Sequence, residues 1–248
     1  GLIVYVIHAI KTKQPFFGTF REMFVIEKEF ALPILRKVVP LIFNETLFGV
    51  GSTLFIKAFG QLGKDSMDAY YVGNQIYNTF LFIVYGYGNA ISVLLGVRLG
   101  SGEMDEAKRE ANYHLGLSLV LSIILVVGMI LFANPMVAIF GLTNPLISLL
   151  AIQIVWVFAV KVSMRLFNFI IFSILRAGGE SKVIQLLDSG ILWVIGLPSA
   201  FICVNLLHMN SIVIVLLITQ VEQLVRLGFG ILCVKSESWA KDLTVLVD

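Results

Sequence analysis

Charged residues are scarce in this chain, and their scarcity excludes most classes of soluble protein. Asp, Glu, Lys and Arg make up 14% of the 248 residues, against about 25% in an ordinary globular domain. The net charge of +2 gives no basic surface for a nucleic acid. The hydrophobic share is 58%, and the mean hydropathy is +0.93. A soluble fold of this size cannot hide so much apolar surface, so the sequence predicts a protein that lies in lipid.

The residues that build disulfides, metal sites and catalytic centres are also few. The chain has two cysteines, Cys203 and Cys233, and three histidines. The cysteines are predicted on opposite sides of a membrane, which argues against an internal disulfide, and the histidines lack the spacing of metal ligands. The motifs G-x-x-x-x-G-K-[ST], G-x-S-x-G and H-E-x-x-H do not occur in the sequence. We therefore expect no enzymatic activity, no metal site and no cofactor.

Long apolar runs are what the chain has in abundance. A membrane-spanning helix needs about 20 mostly apolar residues, and these runs are too long and too uniformly apolar for the strands of a membrane barrel. Between charged or Gly/Pro-rich breaks there are six such runs: 38–59, 71–99, 111–132, 145–175, 183–207 and 211–234. The sequence thus predicts an all-α polytopic membrane protein with a six-helix bundle over residues 38–234.

Basic residues are confined to alternate connections between the predicted helices. Segments 11–37, 98–110, 176–182 and the tail from residue 235 carry thirteen Lys and Arg residues, whereas the intervening connections carry one, Lys64. Positive charge is retained on the cytosolic side of membranes. The pattern therefore predicts that the first group of segments, including the tail 235–248, is cytosolic.

The first 37 residues divide into an apolar and a charged part. Residues 1–10 are apolar but reach only about 15 Å as a helix, half a bilayer, and we interpret them as the end of a truncated transmembrane helix. In residues 11–37, Phe16, Phe20 and Phe24 recur every four residues among charges. That spacing favours an amphipathic helix at the cytosolic membrane surface; a solvated linker is the alternative.

Several ionisable residues are predicted at membrane depth, where a charge is costly and usually functional. Glu45, beside Asn44, has two open interpretations: a site for a proton, Na⁺ or a cationic ligand, or a structural salt bridge. Lys161 and Arg165 are four residues apart and share one helical face, which Asn168 continues. They either neutralise carboxylates, Glu45 among them, or take part in transport.

Further polar residues lie on the predicted helices. Glu222 and Arg226 are also four residues apart, with the acid first, and are predicted to form a structural ion pair. Asp188 follows Lys182 closely and is predicted near the cytosolic end of the fifth helix. On the second helix, Gln75 and Asn78 belong to a polar stripe that suits either helix packing or a cavity wall.

A single central cleft is the arrangement we predict for these helices. Glu45, Asn78 and Arg165 are expected to face it together. Contact of Arg165 with lipid would contradict this arrangement, because an arginine at that depth must face protein or water.

The segment Leu175-Arg176-Ala177-Gly178-Gly179-Glu180-Ser181-Lys182, followed by Asp188, Trp193 and Pro198, resembles the stretch between the tenth and eleventh helices of multidrug and toxic compound extrusion (MATE) transporters. Weaker similarities to the family are found in three other stretches: 40–63 with Phe43-Asn44-Glu45-Thr46-Leu47-Phe48-Gly49, 72–102 with Asn74-Gln75-Ile76, and Val221-Glu222-Gln223 with Trp239. Together these similarities cover nearly the whole chain.

The resemblance implies a specific architecture and activity. MATE transporters have twelve helices in two pseudo-symmetric lobes, so the chain would be the C-terminal lobe, its partner the N-terminal lobe and its surroundings a bacterial cytoplasmic membrane. A Na⁺ or H⁺ gradient would drive export of organic cations by alternating access. Glu45 matches a cation-site residue of one branch. That branch also has an acid in its tenth helix, where this chain has only Lys161 and Arg165, so the coupling carboxylate is expected in the N-terminal lobe.

Two other functions are compatible with the sequence. A lipid-linked saccharide flippase of the same superfamily would use cations such as Lys161 and Arg165 to hold a pyrophosphate. A membrane scaffold subunit would have the same helices without transport. The glycine-rich segment favours the exporter.

Overall fold

The computed structural model describes Lys11 and residues 28–241, which contain helices and turns but no strand. The helices, in chain order, are α1 (Lys28–Gly60), α2 (Lys64–Gly100), α3 (Met104–Leu131), α4 (Ala133–Ala138), α5 (Pro145–Ala177), α6 (Ser181–Gln185), α7 (Leu197–Phe201), α8 (Ile212–Thr219) and α9 (Val221–Lys235). Between α6 and α7 and after α7 the chain forms π-helical turns at Leu186–Gly190, Leu192–Gly196 and Ile202–Leu206.

Six helical stretches of the described chain are long and apolar enough to cross a membrane. We call them spans 1 to 6: Val38–Gly60, Lys64–Gly100, Met104–Leu131, Pro145–Ala177, Ser181–Leu206 and Ile212–Lys235. Their mean hydropathies run from 1.4 to 2.5. The prediction of an all-α protein with six transmembrane helices is therefore confirmed, although spans 2 and 3 begin several residues earlier than the apolar runs indicated.

The first long helix begins before the predicted boundary. α1 starts at Lys28, so residues 28–37, which the sequence assigned to a linker, continue into span 1 as one helix. Charged residues are compatible with this extension because a helix projecting beyond the bilayer needs no apolar surface there. The interpretations of residues 1–10 and of Phe16, Phe20 and Phe24, and the end of the tail after residue 241, lie outside the described residues.

Span 4 is the centre of the packing from Leu41 onward, a part of the chain that forms one compact unit. α5 packs against α2, α3 and α9 and buries most of its C-terminal half. The approach of α2 to α5 is close at Gly73, where an added Cβ would lie 2.6 Å from Ile154 Cγ2. Small residues at such crossings allow helices to pack tightly in lipid, where van der Waals contact is a main source of association.

Span 5 departs from regular α-helix at Leu186–Gly190, where the side chain of Arg226 bonds to two of its backbone carbonyls. Arg226 of α9 donates from Nε to the Leu187 carbonyl and from Nη2 to the Asp188 carbonyl, both at 2.9 Å. A side chain that bonds to backbone carbonyls in this way is a known cause of irregular turns inside helices, and π turns are frequent at functional sites. No such irregularity was predicted from the sequence.

The segment Ser236–Lys241, which we call the C-terminal strap, folds back against the helix ends. Trp239 is 1% exposed, and its indole Nε1 donates to the Val234 carbonyl at 3.0 Å. Lys241 pairs with Glu180, and Glu237 pairs with Lys108, each at 2.6 Å. These pairs bring segments 98–110, 176–182 and the strap to the same end of the helices, as the charge pattern predicted.

Candidate functional site

A cavity of about 280 Å³ opens between α1, α2, α5, span 5 and span 6. Six aromatic residues form much of its wall: Phe48, Phe55, Phe59, Tyr70, Tyr77 and Tyr85. Its polar wall consists of Ser52, Asn74, Asn78, Lys161, Arg165, Thr219, Gln220, Glu222 and Gln223. A pocket with apolar walls and a few converging polar groups is the usual form of a site for an organic ligand.

Helical spacing explains how distant residues meet at this cavity. Asn74, Asn78 and Tyr85 follow one another at intervals of four and seven residues along α2, and so face the same way. Lys161 and Arg165 occupy successive turns of α5. The cavity is therefore the meeting point of one face from each helix, and no single segment specifies it.

Span 6 is interrupted where it borders the cavity. α8 ends at Thr219 and α9 begins at Val221, with Gln220 between them. The backbone N–H of Gln220 donates to the Leu217 carbonyl at 3.1 Å. That carbonyl is three residues back, so the turn is tighter than in an α-helix. Breaks of this kind at membrane depth are tolerated where the backbone lines a cavity or is buried in protein.

Asp188 is the centre of a buried charge network beside the cavity. Its Oδ1 lies 3.3 Å from Arg165 Nη1 and 3.6 Å from Arg226 Nη1. Asn44 donates from Nδ2 to Asp188 Oδ2 at 3.5 Å and accepts from the Ser189 N–H at 3.3 Å. Asp188 lies in the first third of span 5, and its place near the cytosolic end of that span stays a prediction; its contact with two arginines was not predicted. Within the described chain, Arg165 is neutralised by Asp188 and not by Glu45.

The predicted pair of Glu222 and Arg226 is present but long, at 3.9 Å between Glu222 Oε2 and Arg226 Nη2. Arg226 is fully buried and serves mainly to hold span 5, through the two carbonyls described above. Glu222 accepts from Gln223 Nε2 at 2.8 Å through Oε1, whereas its Oε2 has no hydrogen-bond partner among the described residues. Glu222 thus lines the cavity while its Oε2 is a buried acceptor without a partner, packed beside Gly196, where an added Cβ would clash with it.

Asn168 supports the cavity wall from behind. It is fully buried and donates from Nδ2 to Gln223 Oε1 at 2.9 Å and to the Gln223 carbonyl at 3.2 Å. Gln223 in turn donates to Glu222, so the three side chains form one chain of hydrogen bonds. Asn168 was predicted as a binding residue, and the structure places it behind the cavity lining.

Lys161 is held by aromatic rings. Its Nζ lies 5.1 Å from the ring centroid of Tyr77 and 5.1 Å from that of Phe158, distances at which an ammonium is attracted to a ring face. In the part of the chain that the structure describes, it forms no salt bridge. Arg165 has a similar contact, with Cζ 5.2 Å from the Phe48 ring, but it also has Asp188.

Two of the predicted site residues lie outside the cavity. Asn78 and Arg165 line it, but Glu45 is exposed and lies one turn of α1 before Phe48, beyond the lining. The cleft shared by Glu45, Asn78 and Arg165 therefore stays a prediction, and this cavity does not include Glu45. Gln75 does not line the cavity either, because Asn74 and Asn78 take the cavity-facing positions of α2.

The glycine-rich motif has a structural role at the end of α5. The Glu180 N–H bonds to the Leu175 carbonyl at 2.9 Å, and Gly179 has a positive φ of 75°, which together terminate the helix. A Cβ at Gly178 would overlap the Trp239 carbonyl. Leu175 is buried and Arg176 is exposed. The motif therefore seats the C-terminal strap and contributes nothing to the cavity wall.

Comparison with known proteins agrees with this fold. A curated relative, a probable multidrug resistance protein from Bacillus subtilis, is 24% identical over 140 residues, which are 56% of this chain and 30% of that protein. The fold matches a solved MOP superfamily transporter from Pyrococcus furiosus, for which reverse polarity of the binding pocket suggests a different function. That match has a TM-score of 0.76 and 19% identity, and covers 87% of this chain but 47% of the other.

The chain thus spans at most about half the length of the proteins it matches. Its apolar helices identify it as an integral membrane protein. The family model described as MatE matches residues 40–202, which include most of span 1, spans 2 to 4 and most of span 5. Because that match extends over more than half of the sequence, the chain belongs to the MatE family.

Proposed function

We propose that the chain is one lobe of a multidrug-type exporter that moves amphiphilic organic molecules across a membrane by alternating access, in exchange for Na⁺ or H⁺. MatE family members are transporters, and a curated relative carries a multidrug resistance name. The observation that carries the proposal is the cavity, which combines six aromatic residues with buried charges between the spans. The other wall of the substrate route would come from an N-terminal lobe.

Glu222 is the carboxylate that we propose for coupling within this lobe. It lines the cavity, is 7% exposed, and has an Oε2 without a hydrogen-bond partner among the described residues. A carboxylate with spare acceptor capacity beside the substrate route is able to take up a proton or a cation as that route changes access. Glu45, the residue that the family resemblance favours, is exposed and lies beyond the cavity lining.

The test is transport by the complete protein in proteoliposomes under a Na⁺ gradient or an H⁺ gradient, imposed separately. We expect uptake with one gradient and its loss in Glu222→Gln, because the amide cannot exchange a proton or carry a charge. Glu45→Gln is the matched comparison and is expected to keep substantial transport.

Three results bear on the separate parts of the proposal. Transport without either gradient would refute antiport. Loss of transport in Glu45→Gln but not in Glu222→Gln would return the coupling role to Glu45. Absence of transport for every substrate would favour the scaffold alternative.

A further inference from the structure

The buried charges around the cavity compensate one another, with the exception of Lys161. Arg165 and Arg226 both lie close to Asp188, and Arg226 also lies near Glu222. These two arginines and two carboxylates form a neutral set. In the described part of the chain, Lys161 has no acidic partner within salt-bridge distance, so the cavity wall retains one positive charge.

The aromatic contacts of Lys161 hold its ammonium group in place without neutralising it. Tyr77 and Phe158 both present their rings to Nζ at 5.1 Å. Tyr77 is itself part of the wall, so the cation is fixed where the cavity meets α2 and α5. Attraction to a ring orients a cation and leaves its outer hydrogen-bond donors available for a ligand.

We propose that Lys161 binds an anionic group, a carboxylate, sulfonate or phosphate, on an amphiphilic molecule that occupies this cavity. The proposal rests on the proposed function, because it takes the cavity as the substrate route. A cation at membrane depth is costly and gains most from an anionic partner, whereas a cationic substrate would be repelled by it. Phe48, Phe55 and Phe59 provide apolar wall for the body of the molecule. This inference replaces the expectation of organic-cation substrates.

Two dansyl probes that share a fluorophore and differ in charge test the proposal. Dansyl-taurine is a sulfonate and dansyl-cadaverine is an amine. Both probes are tested with the complete protein in phosphatidylcholine proteoliposomes. Binding is measured by energy transfer from tryptophan to the dansyl group, and transport is measured separately. We expect the wild-type protein to bind dansyl-taurine at least about tenfold more tightly than dansyl-cadaverine, because one close charge pair has an effect of that size.

Four variants define the role of the charge. Lys161→Gln is expected to lose that preference, Lys161→Glu to reverse it, and Lys161→Arg to retain it, which also separates a charge effect from misfolding. Lys57→Gln removes an exposed lysine of α1 that does not line the cavity, and should behave as wild type.

Competition then identifies the source of the anion. Displacement of dansyl-taurine by benzoate assigns the site to a soluble anion, and displacement only by phosphatidic acid added to the vesicles assigns it to a lipid headgroup. Preference of the wild type for dansyl-cadaverine, or unchanged sulfonate affinity in Lys161→Gln, would overturn the inference and leave the transport function intact. Binding of neither probe would also overturn the inference, whereas sulfonate binding that depends on Lys161 without transport of any substrate would overturn only the proposed function.

Discussion

At the scale of single residues, buried carboxylates and cations decide how the spans meet. Asp188 of span 5 joins Arg165 of span 4, Arg226 of span 6 and Asn44 of span 1. Breaking a buried ion pair is costly because the remaining charge is left without a partner, at about 3–5 kcal/mol. Asp188 therefore serves as a joint among four of the six spans.

Asp188→Asn should accordingly destabilise the protein. The amide keeps the shape of the side chain but removes its charge, so Glu222 is the acidic side chain left near the two arginines. We expect the free energy of unfolding to fall by about 3 kcal/mol or more. The measurement is the thermal midpoint in detergent, followed by size-exclusion chromatography. Glu103→Gln is the control, because Glu103 pairs with Arg98 at the exposed end of α2, where such pairs contribute at most about 1 kcal/mol. Equal midpoints for the two variants would contradict the role of Asp188.

At the scale of elements, the C-terminal strap and the end of α5 depend on each other. Gly178 leaves the space that the Trp239 backbone occupies, and the Glu180–Lys241 pair lies next to it. Trp239 is buried by this arrangement although it follows the last span in sequence. The short motif that carries the family resemblance thus acts through backbone geometry and packing.

Gly178→Ala should release the strap, because the new methyl group would overlap the Trp239 carbonyl. We expect trypsin to cleave after Lys241 several-fold faster than in the wild type, since a loosened strap spends more time in an open conformation. Gly116→Ala in α3 is the matched control, because its Cβ would meet nothing within 4 Å and alanine favours a helix. An unchanged cleavage rate in Gly178→Ala would show that the strap does not depend on this contact.

At the scale of the whole molecule, orientation in the membrane follows from where the basic residues lie. The ion pairs of the strap put segments 98–110 and 176–182 at the same end as the C-terminus. The charge pattern assigns that end to the cytosol. We propose this orientation, in a bacterial cytoplasmic membrane.

Single cysteines test the orientation after Cys203 and Cys233 have been replaced by alanine. Lys64→Cys lies at the opposite end and should react with a membrane-impermeant maleimide in intact cells. Arg109→Cys, which is highly exposed at the strap end, should react only after the cells are opened. The reverse labelling pattern would invert the assignment.

The number of spans and their alternation were predictable from local composition. Transfer of an apolar run into lipid depends on that run alone, and retention of Lys and Arg depends on the loop that carries them. The six runs and the shared end of segments 98–110 and 176–182 were found in this way. The end of α5 was also predictable from the two glycines that follow it, because glycine readily adopts the positive φ that often terminates a helix.

Other features depended on which helix faces meet, and no local pattern contains that information. The sequence shows Glu45 and Asp188 as acids on apolar helices, yet packing leaves the first exposed and encloses the second between two arginines. The strap likewise owes the burial of Trp239 to a glycine in another loop. The sequence by itself determined six membrane helices and their alternating ends. Tertiary structure decided which charges pair, because pairing requires two distant faces to come within a few ångströms.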